Sequence, residues 1–315
     1  MLSVLSVVNN YLNKSKKQKM ISAINISKNY GGVRAVDSWS VEVKRGELYG
    51  LIGPDGAGKT TFFRLLTTML LPDGGSATVA GMDIVKDFKK IRRIFGYMPG
   101  KFSLYEDLTV EENLRFFAAL FETTIEQNIH LVEEIYSQLR RFADRPAGKL
   151  SGGMKQKLAL CCAMIHSPEV LFLDEPTTGV DVVSRREFWE MLKTLKSKGL
   201  TIMVSTPYMD EAQMCDRIAL VSGGRFLGVD TPENTVKNFD GKLFSVSADS
   251  MKTLTADLKA FPDTITAFSF GDSVHLRIRD NDGSIDHLRQ YLSNYKNLVI
   301  SEIQPTIEDC FMAKI

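Results

Sequence analysis

Net charge is the first thing this chain lacks: 39 lysines and arginines stand against 38 aspartates and glutamates, a balance of +1 at pH 7. No global field draws it to nucleic acid or to an anionic membrane, so any such contact must be local. It also lacks an apolar run of the roughly 18–20 residues that a spanning helix needs, so it is not expected to cross a bilayer by itself. Cysteine is sparse, four in 315 residues, and the four show no metal-ligand spacing. Cys161 and Cys162 fall inside the apolar, helix-like run 158–165 and read as core residues of a reduced cytosolic protein. The order of a secretory leader is missing too, because the apolar residues 1–8 precede the basic run Lys14-Ser15-Lys16-Lys17-Gln18-Lys19 instead of following it. Residues 1–19 are read as a flexible N-terminal extension, with Met20 as an alternative start.

What is present begins with Gly53-Pro54-Asp55-Gly56-Ala57-Gly58-Lys59-Thr60-Thr61, which follows the apolar strand-like run 48–52 and leads into Phe62-Phe63-Arg64-Leu65-Leu66. That context defines a phosphate-binding loop. Its glycines free backbone N–H groups to converge on phosphate oxygens, the following helix adds the positive end of its dipole, and Lys59 adds a full charge. Thr60 supplies a hydroxyl of the kind that ligates Mg²⁺. A second element, Val170-Leu171-Phe172-Leu173-Asp174-Glu175-Pro176, is a buried hydrophobic strand ending in two carboxylates. Asp174 is placed to hold Mg²⁺ through water, and Glu175 to polarise an attacking water. A third, Leu150-Ser151-Gly152-Gly153-Met154-Lys155-Gln156-Lys157, makes a second anion site at a helix start, which one nucleotide does not need.

The remaining pattern places these motifs. Strand character at 21–26, 36–43, 76–80 and 201–204, with a helical segment at 184–197, gives an α/β core around the loop. In the middle, Val110, Leu114, Phe117 and Phe121 share one helical face and Ile129, Val132, Ile135 and Leu139 another, so a helical insertion is expected at about 100–150. Beyond residue 230 the order reads strand 242–248, helix 251–261, strands 264–270 and 274–279, helix 284–291 and strand 298–304. That βαββαβ order predicts a small α+β, ferredoxin-like unit over 231–315.

Motifs of these kinds in this order resemble the ATP-binding-cassette (ABC) family from about residue 21 to 227. The resemblance implies a P-loop ATPase cassette over 20–230 whose bound species are ATP and Mg²⁺. It implies that Gly53, Pro54, Asp55, Gly56, Ala57, Gly58, Lys59, Thr60 and Thr61 hold the phosphates, that Thr60 and Asp174 serve the metal, and that Glu175 is the general base. It implies that Tyr30 stacks on adenine and that Thr177-Thr178-Gly179-Val180-Asp181 links two sites. Ser151, Gly152 and Gly153 would complete the site of a second cassette in a head-to-tail homo- or heterodimer. The work would be done on a separate transmembrane permease, which places the chain peripherally on the inner face of the cell membrane. Phe102, Leu104 and Tyr105 would either face that permease or fill the helical insertion's own core.

The departures matter as much. Where the family has a Gln, this chain reads Gly96-Tyr97-Met98-Pro99-Gly100. Where it has a switch His, it reads Ser205-Thr206-Pro207-Tyr208-Met209-Asp210-Glu211. Pro207 offers neither an imidazole nor a backbone N–H. Loss of one positioned donor costs about 2.7–4 kcal/mol in other enzymes, so tight binding with slow turnover is expected unless Lys101, Ser205 or an ordered water substitutes. The closing Pro305-Thr306-Ile307-Glu308-Asp309-Cys310-Phe311-Met312 resembles the end of ATPase subunits of ABC-2-type exporters similar to daunorubicin exporters. Two alternatives are a cassette protein acting on nucleic acid or ribosomes and a regulatory ATP-binding module with little turnover. The first is disfavoured by a single cassette with neither a coiled-coil hinge nor a long basic stripe, so no nucleic acid is expected as a partner.

Overall fold

A computed structural model describes residues 19–279 and 284–315. The chain divides into two compact units, Met1–Asp230 and Thr231–Ile315. Of the expected extension, residues 1–18 lie outside the described residues. Lys19 does not belong to it, because it opens the first strand, paired with Lys44.

The first unit contains two sheets. In one, β1 (Lys19–Tyr30), β2 (Val33–Lys44), β4 (Gly74–Val79) and β5 (Met82–Asp83) run antiparallel in the order β2-β1-β4-β5. The other has the order β10-β9-β3-β8-β7-β6, from β3 (Leu48–Ile52), β6 (Phe95–Met98), β7 (Val170–Asp174), β8 (Thr201–Thr206), β9 (Arg217–Ser222) and β10 (Arg225–Asp230). β6, β7, β8, β3 and β9 pair in parallel, and β10 is antiparallel to β9. Every residue of β3, β7 and β8 is buried, which is why these strands read as continuous apolar runs. β2 instead alternates, burying Val36, Trp39, Val41 and Val43, as a strand with one wet face must.

Helix α1 (Lys59–Leu66) contributes Phe62, Phe63, Leu65 and Leu66 to the core shared by residues of both sheets. Trp39 packs on Phe62 at 5.0 Å and on Phe226 at 4.6 Å, while its Nε1 donates to the Gly224 carbonyl at 2.5 Å. After α2 (Phe88–Ile94), the helical insertion comprises α3 (Val110–Leu120) and α4 (Ile125–Tyr136), each started by a capping box, Thr109 with Glu112 and Thr124 with Gln127. α4 stops at Tyr136, so Leu139 is buried from the following turn and not from the helix face expected for it. α5 (Gly152–Met164) and α6 (Val182–Ser197) complete the unit. Cys161 and Cys162 lie in the core of α5, and burial pushes both thiols well up.

The second unit runs α7 (Pro232–Lys237), β11 (Leu243–Ser247), α8 (Met251–Ala260), β12 (Thr264–Phe270), β13 (Ser273–Ile278), α9 (Ser284–Tyr291), β14 (Val299–Ile303) and α10 (Ile307–Met312). Its antiparallel sheet has the order β12-β13-β11-β14, the strand order of a ferredoxin-like βαββαβ unit. Phe244, Val246, Val274, Leu276, Leu254, Leu258 and Leu288 form its own core. α10 is held by a buried pair, His275 Nδ1 with Asp309 Oδ1 at 2.6 Å, while Asp309 also caps that helix with Thr306.

Candidate nucleotide site

Three strand ends build the site. β3 delivers the chain to Gly53, whose N–H donates to the Thr206 carbonyl at 3.2 Å, fixing the start of the glycine loop to the end of β8. A Cβ on Gly53 would lie 2.1 Å from the Val221 carbonyl oxygen, and one on Gly58, at φ 101°, 2.0 Å from that of Ala35. Both glycines are therefore required by the close approach of neighbouring strands, as well as by any phosphate they cradle. Pro54, Asp55 and Gly56 form the exposed rim of the loop, Ala57 and Lys59 are buried, and Gly58, Thr60 and Thr61 are half-buried at the start of α1.

Lys59 is only 3% exposed, and its ammonium is satisfied three times over: it donates to the Gly53 carbonyl at 2.7 Å and the Pro54 carbonyl at 3.0 Å, and pairs with Glu175 Oε1 at 3.1 Å. The glycine loop and the acidic end of β7 are thus brought to one place, as their chemistry requires. Asp174 is buried and accepts a 2.6 Å hydrogen bond from Ser205 Oγ. The Glu175 N–H in turn donates to the Ser205 carbonyl at 3.0 Å and to Ser205 Oγ at 3.1 Å. Glu175 sits at φ 50°, in the left-handed region. A non-glycine residue there costs about 1–3 kcal/mol and persists only when its surroundings enforce it.

Gly100 lies where its missing side chain would have reached: a Cβ there would meet the Asp174 carbonyl oxygen at 3.1 Å and Glu175 Cβ at 3.8 Å. Tyr97, in β6, has its phenol pushed up to about 12 by burial, with the Asp174 charge adding to the effect, so it remains a neutral O–H. After β8, Pro207 is followed by Tyr208, whose N–H turns back to Thr206 Oγ1 at 3.0 Å.

The other expected site residues belong to other elements. Tyr30 ends β1 and is 46% exposed. Ser151 and Gly152 are exposed at the N-terminus of α5, where Ser151 Oγ accepts the Met154 N–H at 3.4 Å, and Gly153 is buried. The Thr177–Asp181 stretch ends in the N-cap of α6, where Asp181 accepts the Ser184 N–H at 2.9 Å, a bond that holds its carboxyl below the usual range. Of the three residues that could have faced a permease or filled the insertion, Leu104 is buried, Phe102 is half-buried with Lys155 over its ring at 4.9 Å, and Tyr105 is exposed against Phe116 at 4.9 Å.

Sequence reasoning missed Thr206 and Glu211, and mentioned Ser205 only as a substitute for absent groups. Their signal was slight, a Ser-Thr pair closing an apolar strand and one more acid in a polar loop. Among the described residues no cluster of three His, Cys, Asp or Glu could cage a metal. The donor set suits Mg²⁺ all the same, since that ion takes one or two carboxylates together with substrate phosphates in place of an all-protein cage.

A strand, glycine loop and helix that present a buried lysine to a carboxylate pair at the end of another parallel strand of the same sheet, one strand removed, define a P-loop nucleotide-binding domain. The family described as "ABC transporter" matches residues 36–178. The chain is 34% identical over 290 residues to the "Daunorubicin resistance ATP-binding protein DrrA2" of Streptomyces coeruleorubidus, covering 90% of this chain and 86% of that protein. It is 44% identical over 220 residues to the "Probable multidrug ABC transporter ATP-binding protein YbhF" of Escherichia coli (strain K12), covering 69% of this chain but only 38% of YbhF. A bacterial ABC transporter cassette solved as a dimer superposes with a TM-score of 0.61 at 25% identity, over 67% of this chain and 98% of that one. The chain belongs to the ABC transporter ATP-binding family.

Proposed function

We propose that this chain is the ATP-binding and ATP-hydrolysing subunit of an ABC exporter. The observation that carries this reading is the convergence of Lys59 on Glu175 at 3.1 Å, beside the buried Asp174. In this reading the amides of Gly53 to Thr61 and the Lys59 ammonium grip the β- and γ-phosphates, with Lys59 exchanging its contacts to its own loop carbonyls for phosphate oxygens. Thr60 and Asp174 hold Mg²⁺, which neutralises charge on the phosphate oxygens when bound. Glu175 accepts a proton from the attacking water, and the Ser205 hydroxyl and carbonyl keep its backbone in the orientation that aims it. Tyr30 stacks on the base. Ser151, Gly152 and Gly153 serve the nucleotide of a second cassette, so that ATP clamps two cassettes together and hydrolysis releases them.

Export as the direction is inferred from the likeness to the "Nod factor export ATP-binding protein I" of Burkholderia orbicola (strain AU 1054), 36% identical over 248 residues, 78% of this chain and 80% of that protein. No helix among the described residues is long and apolar enough to span a membrane, so the translocation path is assigned to a separate permease at whose inner face this chain docks. The 231–315 unit is proposed as an accessory domain of that assembly. The partner cassette is assigned as one that carries the Gln and His in its own site, which Ser151, Gly152 and Gly153 of this chain complete while this chain's own site chiefly binds ATP, or as a second copy with slower turnover.

Titrating the full chain with ATP tests the reading. Micromolar or tighter affinity that needs Mg²⁺ is expected, lost by about a hundredfold or more in Lys59→Ala, since a charge-assisted contact to phosphate is removed. Unchanged affinity in that variant would overturn the assignment. ATPase activity stimulated by DNA or ribosomes, in place of a co-purifying membrane protein, would favour the nucleic-acid alternative.

A further inference from the structure

Behind the catalytic carboxylates lies a buried acid that the reaction scheme does not use. Glu211 is 2% exposed and sits in the 3₁₀ turn Met209–Met214 that follows β8. Its two carboxylate oxygens are split between two segments: Oε1 accepts from Thr177 Oγ1 at 2.7 Å and Oε2 from Thr206 Oγ1 at 2.5 Å. The charges around it come from α6 and from its own turn. Arg185 Nε stands 3.7 Å from Oε1 and Arg185 Nη1 4.0 Å from Asp210, while the same guanidinium lies 4.0 Å over the Tyr208 ring. Burying a carboxylate is costly unless hydrogen bonds satisfy it. Here both satisfying bonds come from threonine hydroxyls that are themselves buried.

The two threonines lie at either end of a short path through the site. Thr206 holds the Gly53 N–H through its carbonyl and adjoins Ser205, which carries Asp174 on its hydroxyl and the Glu175 N–H on both its oxygens. Thr177 opens the stretch that ends at the exposed start of α6, where Val182 is 79% and Val183 59% exposed. We propose that Glu211 is a positioning residue: it ties the Thr177–Asp181 stretch to the end of β8, so that a contact made at the exposed start of α6 changes how Asp174 and Glu175 are held. The proposal rests on the assignment of those carboxylates to ATP hydrolysis. A rigid bridge is what this role needs, and the surroundings supply it. Pro207 fixes φ directly after Thr206, and the Arg185–Tyr208 stack holds the turn against α6.

The test uses the full chain and the isosteric variants Thr177→Val, Thr206→Val and the two together, followed by hydrogen exchange and by single-turnover ATP hydrolysis. Thr177→Val is expected to speed exchange in the distant peptide 203–212, and Thr206→Val in 174–181, each by about tenfold, the worth of one hydrogen bond to a charged group. The double variant should exceed neither single, because either cut already opens the bridge. The hydrolysis rate should fall with the exchange change while ATP affinity stays within about twofold, since the glycine loop keeps its donors. Thr177→Ser and Thr206→Ser, which keep the hydroxyl, should restore wild-type behaviour. Should a valine variant not fold, Glu211→Gln, which keeps the shape and drops one acceptor, is expected to speed both peptides together. Effects confined to the mutated segment, losses that multiply in the double variant, or equal acceleration in the α1 peptide 60–66 would overturn the coupling. A wild-type chain that hydrolyses nothing would sink the proposed turnover, and the exchange result would still decide the bridge.

Discussion

The loop between β3 and α1 carries every group needed to grip a phosphate, whereas the loops after β6 and β8, which close on the same carboxylates, end in Gly100 and Pro207. On the first side Lys59 is enclosed by two carbonyls and Glu175. On the second side the backbone reaches the right place without the side chain. Gly100 lies against Asp174 and Glu175, and Pro207 adjoins Thr206 but has no N–H to give. The proposed roles therefore make gripping the nucleotide and turning it over separable on this chain. In that scheme the main phosphate-binding groups come from one contiguous motif, while the groups that organise the transition state come from several strand ends and can be lost singly.

The largest expected effect separates the two directly. Glu175→Gln should lower single-turnover hydrolysis by about 10²–10⁴-fold, the usual contribution of a general base, while ATP affinity measured by equilibrium titration stays within a few-fold. Equal loss of both would mean that the Lys59–Glu175 pair serves to shape the loop and not the chemistry.

Restoring the missing side should act in the opposite sense. Pro207→His and Gly100→Gln are each expected to raise turnover, together by about a hundredfold, comparable to one positioned donor in other enzymes. The histidine change should be the easier, because a Cβ at position 100 meets the Asp174 carbonyl oxygen at 3.1 Å and needs a local shift. No gain in the presence of tight ATP binding would show that Ser205 or Lys101 already fills the gap.

The legible parts of this molecule were the local ones. The glycine loop, the β7 run and the Leu150–Lys157 stretch each announce themselves within ten residues because strand, turn and helix start are fixed by contiguous residue types. The ferredoxin-like order was readable because strands and helices alternate with turns such as Gly271-Asp272. What stayed hidden depends on pairings across the chain. Thr206 is 153 positions from the Gly53 it anchors, 34 separate Thr177 from Glu211, and the left-handed φ of Glu175 has no sequence signature. The Leu139 misassignment has the same origin, since helical periodicity carried on past a chain that had already left the helix at Tyr136.

A smaller effect tests the gripping side alone. Tyr30 is exposed at the end of β1. Tyr30→Ala should weaken ATP binding by about 1–3 kcal/mol, the range for one base–aromatic stack, and weaken inorganic triphosphate binding hardly at all. Equal weakening of both would assign Tyr30 to the fold of the β1–β2 turn.

The smallest effect is one of pH, and it bears on the other side. A cavity of about 140 Å³ lies against the end of β6, lined in part by Tyr97, Met98, Pro99, Phe121 and His166. His166 stacks on Phe121 at 3.7 Å and faces the Phe95 carbonyl at 3.0 Å through Nε2. A carbonyl can only accept, so Nε2 carries the proton, and Nδ1 is left buried without a partner. Protonating Nδ1 would create a buried N–H with nothing to receive it, and burial accordingly lowers the His166 pKa from its ordinary 6.5. The unfolded chain then takes up the proton as pH falls through 6.5 while the folded chain does not, so stability is full above that value and declines below it. Melting of the wild type should drop by a few degrees between pH 7 and pH 5.5 more than that of His166→Gln, with hydrogen exchange rising first in 95–104, around Gly100, and later in 52–62. Parallel loss in both peptides would erase the distinction between the two sides, because it would mean that the β6 end and the glycine loop open as a single unit.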